Sequence, residues 1–218
     1  MNYLNTIFPS LVALPCKAVL IGRLPGVELA FDRAEVLRHL EQPHREQIRK
    51  LGLHEKTFVT CQQVGGKQLA CISASGAHTF PVPGCDGLLT DDPGVLLGMY
   101  VADCCAVYLV DPKRPGIALV HSGKKGTELG IVEAAILEMQ ERFGSVPGEL
   151  RVQLSPCIRP PHYEVDFAKN IIESCRAQGV QHIYDSGECT ASNLERYYSY
   201  RKEKGKTGRM LALLSLSG

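Results

Sequence analysis

The chain has 218 residues, 44% hydrophobic and 22% charged, with a formal net charge of +1 from 24 Lys+Arg and 23 Asp+Glu. That length buries one core and is short for two, so a single domain over 1–218 is expected. The charge balance argues against nucleic acid or an anionic membrane surface as partner, and no run reaches the ~18–20 apolar residues of a membrane helix.

The amino-terminal segment is apolar but has no basic n-region, and Pro9 and Pro15 interrupt it, so it is not read as a signal peptide. Residues 17–21 and 27–31 read as a hairpin around Leu24-Pro25-Gly26. From Asp32 the pattern is helical with Pro43 as a break, and 44–51 make a second helical piece closed by Gly52. Strands are predicted over 57–64 and 68–73, separated by the turn Gly65-Gly66, and 75–84 is a loop of small residues and proline. Three β-branched apolar runs follow at 95–101, 105–110 and 117–120. Residues 127–143 form an amphipathic helix, with Leu129, Val132, Ile136, Met139 and Phe143 on one face and Gly144 at its end. Then come a strand at 149–154, a helix at 166–177 capped by Asp166, a strand at 180–184, loop plus helix over 189–204, and a closing strand at 210–216. Strands that later alternate with helices point to an α/β fold with mixed sheets.

Nine cysteines are scattered with no C-x-x-C pair, which excludes zinc-ribbon and thioredoxin-type motifs. Most lie in apolar runs, where a free thiol behaves as a small hydrophobe, so a reducing cytoplasm is expected. Chemistry gathers at two strand ends. Asp103 places a carboxylate in an apolar stretch, where a buried charge needs a partner. Alternation puts Cys104 and Cys105 on opposite faces, so one joins the core and the other can face a site. His121 ends the strand 117–120 and can activate a nearby thiol. Cys104, His121 and Asp103 are therefore the candidate catalytic set. Gly123, Lys124, Lys125 and Gly126 form a glycine-bearing turn before a helix, a candidate anion cradle. Spacing excludes zinc deaminases, H-E-x-x-H and G-x-S-x-G.

In order, Gln63-Val64-x-Gly66, Asp86-Gly87-Leu88-Leu89-Thr90, Ala102-Asp103-Cys104 and His121-x-Gly123-x-x-Gly126 resemble the YfiH/PgeF family of laccase-domain proteins. Tyr163-Glu164-Val165, Cys189-Thr190, Ser199-Tyr200-Arg201 and Thr207-Gly208-Arg209 extend the resemblance from about Thr57 to the carboxyl terminus. It implies an α/β/β/α layered sandwich, shared distantly with toxin deamidases that use a Cys–His pair. It also implies activity on purine nucleosides by phosphorolysis or deamination, with a nucleoside and phosphate as small-molecule partners. Polyphenol oxidation and editing of peptidoglycan precursors are further activities described for the family. The resemblance implies zinc held by two histidines and a cysteine: Cys104 and His121 match two ligands, and Arg201 and Arg209 match basic positions open to phosphate.

The chain departs from the family pattern. The first zinc histidine is replaced by Gly65, H-A-G-W-R-G reads His121-Ser122-Gly123-Lys124-Lys125-Gly126, and G-P reads Ser155-Pro156. A third ligand would have to come from Cys61, Asp103 or His78. The alternatives are a metal-free hydrolase or deamidase, with Cys104 as nucleophile and His121 as base, and a degraded member that only binds. Copper ranks lowest, because histidine clusters are lacking.

Overall fold

The computed structural model describes residues 5–77 and 79–218, so His78 lies outside the described residues. The first-half elements are β1 (Asn5–Ile7), α1 (Pro9–Val12), β2 (Cys16–Ile21), α2 (Arg33–Lys50), β3 (Thr57–Thr60), β4 (Leu69–Cys71), β5 (Gly87–Thr90) and β6 (Val95–Val101). They are followed by β7 (Cys105–Val110), β8 (Ile117–Ser122), α3 (Lys124–Glu128), α4 (Ile131–Phe143), β9 (Arg151–Leu154), α5 (Phe167–Ala177), β10 (His182–Asp185) and β11 (Met210–Leu216). Two mixed sheets result, ordered β1-β2-β11-β6-β3 and β10-β9-β7-β8-β5-β4.

Period-two burial stacks the layers. Along β7, Ala106, Tyr108 and Val110 face the other sheet, while Cys105, Val107 and Leu109 face α4 and α5. Along β11, Met210, Ala212 and Leu214 enter the inter-sheet core, while Leu211 and Leu213 meet Val36, Leu40 and Ile48 of α2. Central strands covered on both faces read as continuous apolar runs, which is why they were legible. The order is helix, sheet, sheet, helix: the expected α/β/β/α sandwich. Among the described residues no helix is long and apolar enough to cross a membrane.

Several local expectations fail for physical reasons. Pro43 lies inside one 18-residue helix rather than breaking it. A buried Pro-flanking face of Val36, Leu40, His44, Gln47 and Ile48 holds the helix on the sheet, outweighing a proline penalty of roughly 3 kcal/mol. Residues 27–31 do not form a hairpin with β2, because β1 and β11 take both of its edges; only the bridge Ala30–Thr207 remains. The strand expected at 57–64 stops at Thr60, and Gln63 and Gly65 turn left-handed (φ 60 and 74). Gly130, at φ 79, divides the helix expected at 127–143 into α3 and α4. Residues 189–204 contain a short 3₁₀ turn, Thr190–Ser192, and otherwise turns and loop rather than an α-helix.

Gly98 illustrates the packing: a Cβ there would stand 2.4 Å from Cε2 of Phe58. Gly98→Ala is expected to lower unfolding stability by about 1–3 kcal/mol in urea titrations. In combination with Phe58→Leu the loss falls below the sum of the single losses. Strict additivity would show that the ring is not the obstacle.

Candidate active site

The site is built around Asp86, fully buried just before β5. Its Oδ1 accepts from the Gly65 N–H (2.9 Å) and from His121 Nδ1 (3.0 Å). Its Oδ2 accepts from the N–H groups of Val64 (3.0 Å) and Gly66 (2.7 Å). The left-handed turn at 63–65 brings these amides round one carboxylate. The main chain repeats the link: the His121 N–H donates to the Asp86 carbonyl at 2.8 Å. Burial alone would raise the Asp86 pKa, but the bonds from His121, Gly66 and Gly65 outweigh it and hold it below the usual carboxylate range.

Because Nδ1 is spent on Asp86, Nε2 is the ring nitrogen left to face Cys104, whose charge also acts on the imidazole. Burial pulls the His121 pKa down, but Cys104 and Asp86 together push it up to about 9. Asp86, His121 and Cys104 thus stand in sequence, with the imidazole biased toward its protonated form.

Cys104 lies in the turn carrying the chain from β6 in one sheet to β7 in the other. Asp103 adopts φ 80, a left-handed conformation costing about 1–3 kcal/mol for a non-glycine residue. Its carboxylate holds that turn by accepting from Thr190 Oγ1 and from the Arg201 N–H, each at 2.7 Å. The sulfur lies so close to Gly123 that a Cβ there would stand 2.6 Å from Sγ.

The expected catalytic residues therefore meet, with different roles. Cys104 and His121 face one cavity of about 690 Å³; Asp103 lines it too, but with both oxygens already engaged. The expected anion cradle divides. Lys124 and Arg209 line the cavity, whereas Lys125 lies over Gly65, its Cδ 3.7 Å from the position of an added Cβ. Gly126 packs under the loop, its Cβ position 3.3 Å from the His121 carbonyl oxygen. Arg201 lines the cavity but stacks on Tyr163 (4.8 Å) and pairs with Glu164 (3.1 Å). Asp86 was missed as a functional residue. The cost of burying its charge, already applied to Asp103, was the available signal. Arg33, Gln63, Tyr100, Tyr163, Phe167 and Tyr200 also line the cavity from distant segments.

The donor set among the described residues does not fit a three-ligand catalytic zinc. Among the described residues no three His, Cys, Asp or Glu groups converge to hold a metal ion. Cys61 lies in the inter-sheet core against Met99 Sδ, 3.6 Å away, and Asp103 is engaged elsewhere.

Two mixed sheets between helical layers, with a cysteine–histidine–aspartate chain at the cavity, define an α/β/β/α protein with a thiol–imidazole centre. The model of the multi-copper polyphenol oxidoreductase laccase family matches residues 22–174 and 165–217, and the chain belongs to that family. It is 31% identical to purine nucleoside phosphorylase YlmD of Geobacillus stearothermophilus, over 87% of this chain and 81% of the relative. It is 27% identical to a purine nucleoside phosphorylase of Deinococcus radiodurans, over 97% of this chain and 90% of the relative. The crystal structure of the Geobacillus YlmD superposes with a TM-score of 0.83 at 26% identity, covering 97% of this chain and 94% of that one. Bacillus licheniformis YfiH shares the fold with a TM-score of 0.77 at 23% identity, covering 92% of each chain.

Two outcomes follow from the geometry. Gly123→Ala should fold normally while driving the sulfur off His121, so that the imidazole titrates below about 9 by NMR. An unchanged titration would show that the sulfur had not moved. The second concerns stability. His121 rises from an ordinary 6.5 to about 9 on folding, so its stabilisation is full below pH 6.5 and is lost as pH rises through 9. The urea midpoint of the wild type should fall between pH 6.5 and 9.5 more steeply than that of His121→Gln. Parallel profiles would contradict the assignment.

Proposed function

We propose that the chain cleaves purine nucleosides by phosphorolysis in this cavity. The observation that carries the reading is the His121 ring, held through Nδ1 by the buried Asp86 and presented beside Cys104 in the cavity. The relatives named as purine nucleoside phosphorylases supply the substrate class. A cavity of about 690 Å³ suits a nucleoside, and Tyr163, Phe167 and Tyr200 offer aromatic surface to a base.

In the reaction a phosphate oxygen forms a bond to ribose C1′ as the C1′–N9 bond breaks. The bonding pair passes to the purine, and the proton on His121 Nε2 neutralises it as it leaves. Asp86 keeps the remaining proton on Nδ1, so His121 ends neutral and correctly oriented. Purine base and ribose 1-phosphate are the products. Lys124 and Arg209 contribute positive charge for phosphate. No step is routed through zinc or copper, because the donor set among the described residues does not make a three-ligand site.

A second reading is a metal-free hydrolase or deamidase in which Cys104 attacks a carbon centre. The order Asp86, His121, Cys104 favours it. Inosine with inorganic phosphate separates the two. Phosphorolysis predicts hypoxanthine and ribose 1-phosphate in equal amounts, with turnover falling on the order of 10²-fold or more in His121→Ala and Asp86→Asn. Product that forms equally well without phosphate, or no product at all, would reject phosphorolysis. Ammonia release with covalent capture at Cys104 would support the second reading.

A further inference from the structure

The cavity pairs Arg209, a basic position the motif resemblance opens to phosphate, with Arg33, a cation that neither the resemblance nor the expected cradle assigns. Arg33 is the first residue of α2, directly after its N-cap Asp32. It is oriented by a relay: its NH2 donates to Gln63 Oε1 at 3.0 Å, the Tyr100 N–H donates to the same oxygen at 3.2 Å, and Gln63 Nε2 donates to the Tyr100 carbonyl at 2.6 Å. Arg209 immediately precedes the last strand, β11. Its NH1 donates to the carbonyls of Gly208 (2.9 Å) and Thr207 (3.3 Å), which leaves its other nitrogens for the cavity.

The two guanidiniums line the same cavity and oppose each other's charge. Among the described residues neither has a carboxylate partner. Among the described residues Asp103 is the one acid in the cavity wall, and it already accepts from Thr190 and Arg201. A positive side chain in the first turn of an 18-residue helix also faces the positive end of the helix dipole. Arg33 is thus opposed by the helix dipole and by Arg209, and is nonetheless held in place by a positioned glutamine. Such an arrangement is relieved by an anion that both forks can grip.

We infer that Arg33 and Arg209 form a phosphate clamp, with Gln63 as the positioning residue for Arg33. The clamp deepens the phosphorolytic reading by placing the phosphate between two arginines rather than in the Gly123–Gly126 turn. Two sources present the same dianion: free inorganic phosphate and the 5′-phosphate of a nucleotide.

The test is calorimetric titration of the whole protein with inorganic phosphate, inosine and inosine 5′-monophosphate at constant ionic strength, for wild type, Arg33→Gln and Arg209→Gln. Thermal denaturation without phosphate accompanies it. The clamp predicts at least a tenfold weaker Kd for phosphate in each variant. Because its charge is strained when empty, Arg33→Gln should melt no lower than wild type in phosphate-free buffer. If the variants lose affinity for inosine 5′-monophosphate but not for inosine or inorganic phosphate, the clamp holds a substrate's own phosphate. Wild-type affinity for both phosphate compounds in Arg33→Gln overturns it, as does a lower melting temperature of that variant without phosphate. Phosphate binding that depends on Arg33 in a protein that does not turn over inosine keeps the clamp and rejects phosphorolysis. Turnover with an unchanged KM for phosphate in Arg33→Gln, and unchanged nucleotide affinity, does the reverse.

Discussion

One buried carboxylate organises the site. Asp86 loses all contact with water, and an ion so placed costs several kcal/mol unless its oxygens are satisfied. Here three backbone amides and an imidazole satisfy them. Each charge-assisted bond contributes on the order of 1.5–3 kcal/mol, enough to offset the burial. The same bonds fix geometry. They wrap residues 64–66 against the end of β5, hold His121 at the end of β8, and set which ring nitrogen faces Cys104. Removing the carboxylate would therefore loosen a turn, a tautomer and a charge together.

Asp103 shows the contrasting use of a buried acid. Its oxygens do not touch His121 but tie the inter-sheet turn to Thr190 and Arg201. That attachment holds a left-handed backbone at Asp103 and sets the sulfur of the next residue against Gly123. It also takes one main-chain group, the Arg201 N–H, out of local pairing within 189–204. One carboxylate orients the imidazole, and the other holds the turn that carries the thiol. Both are buried, and neither role could be told from burial alone.

The parts of the fold legible in the sequence are those whose environment is uniform. Strands β6, β7, β8 and β11 are covered on both faces, and their apolar runs gave their bounds closely. Local rules failed where distant contacts outweighed them: Pro43 stays in a helix because that helix has a sheet to lie on, and 27–31 stays out of a sheet because β2 has no free edge. Cys104 and His121 were legible as a pair because β7 and β8 are antiparallel neighbours, so a strand start and a strand end must meet. The aromatic and arginine walls were not, since Arg33, Tyr100, Tyr163 and Tyr200 converge only through tertiary packing.

The protonation of His121 also bears on what the site can bind. A ligand nitrogen must be unprotonated, so a metal must displace the imidazolium proton before it can use Nε2. In this chain the Asp86 and Cys104 contacts that raise His121 to about 9 strengthen that proton's hold. The position matching the family's first histidine is Gly65, whose N–H serves Asp86 and beside which Lys125 lies. A cation where a ligand would stand, and a proton where a metal would bind, act in the same direction. A nearly neutral chain that directs three arginines and two lysines into one cavity builds a local field suited to an anion.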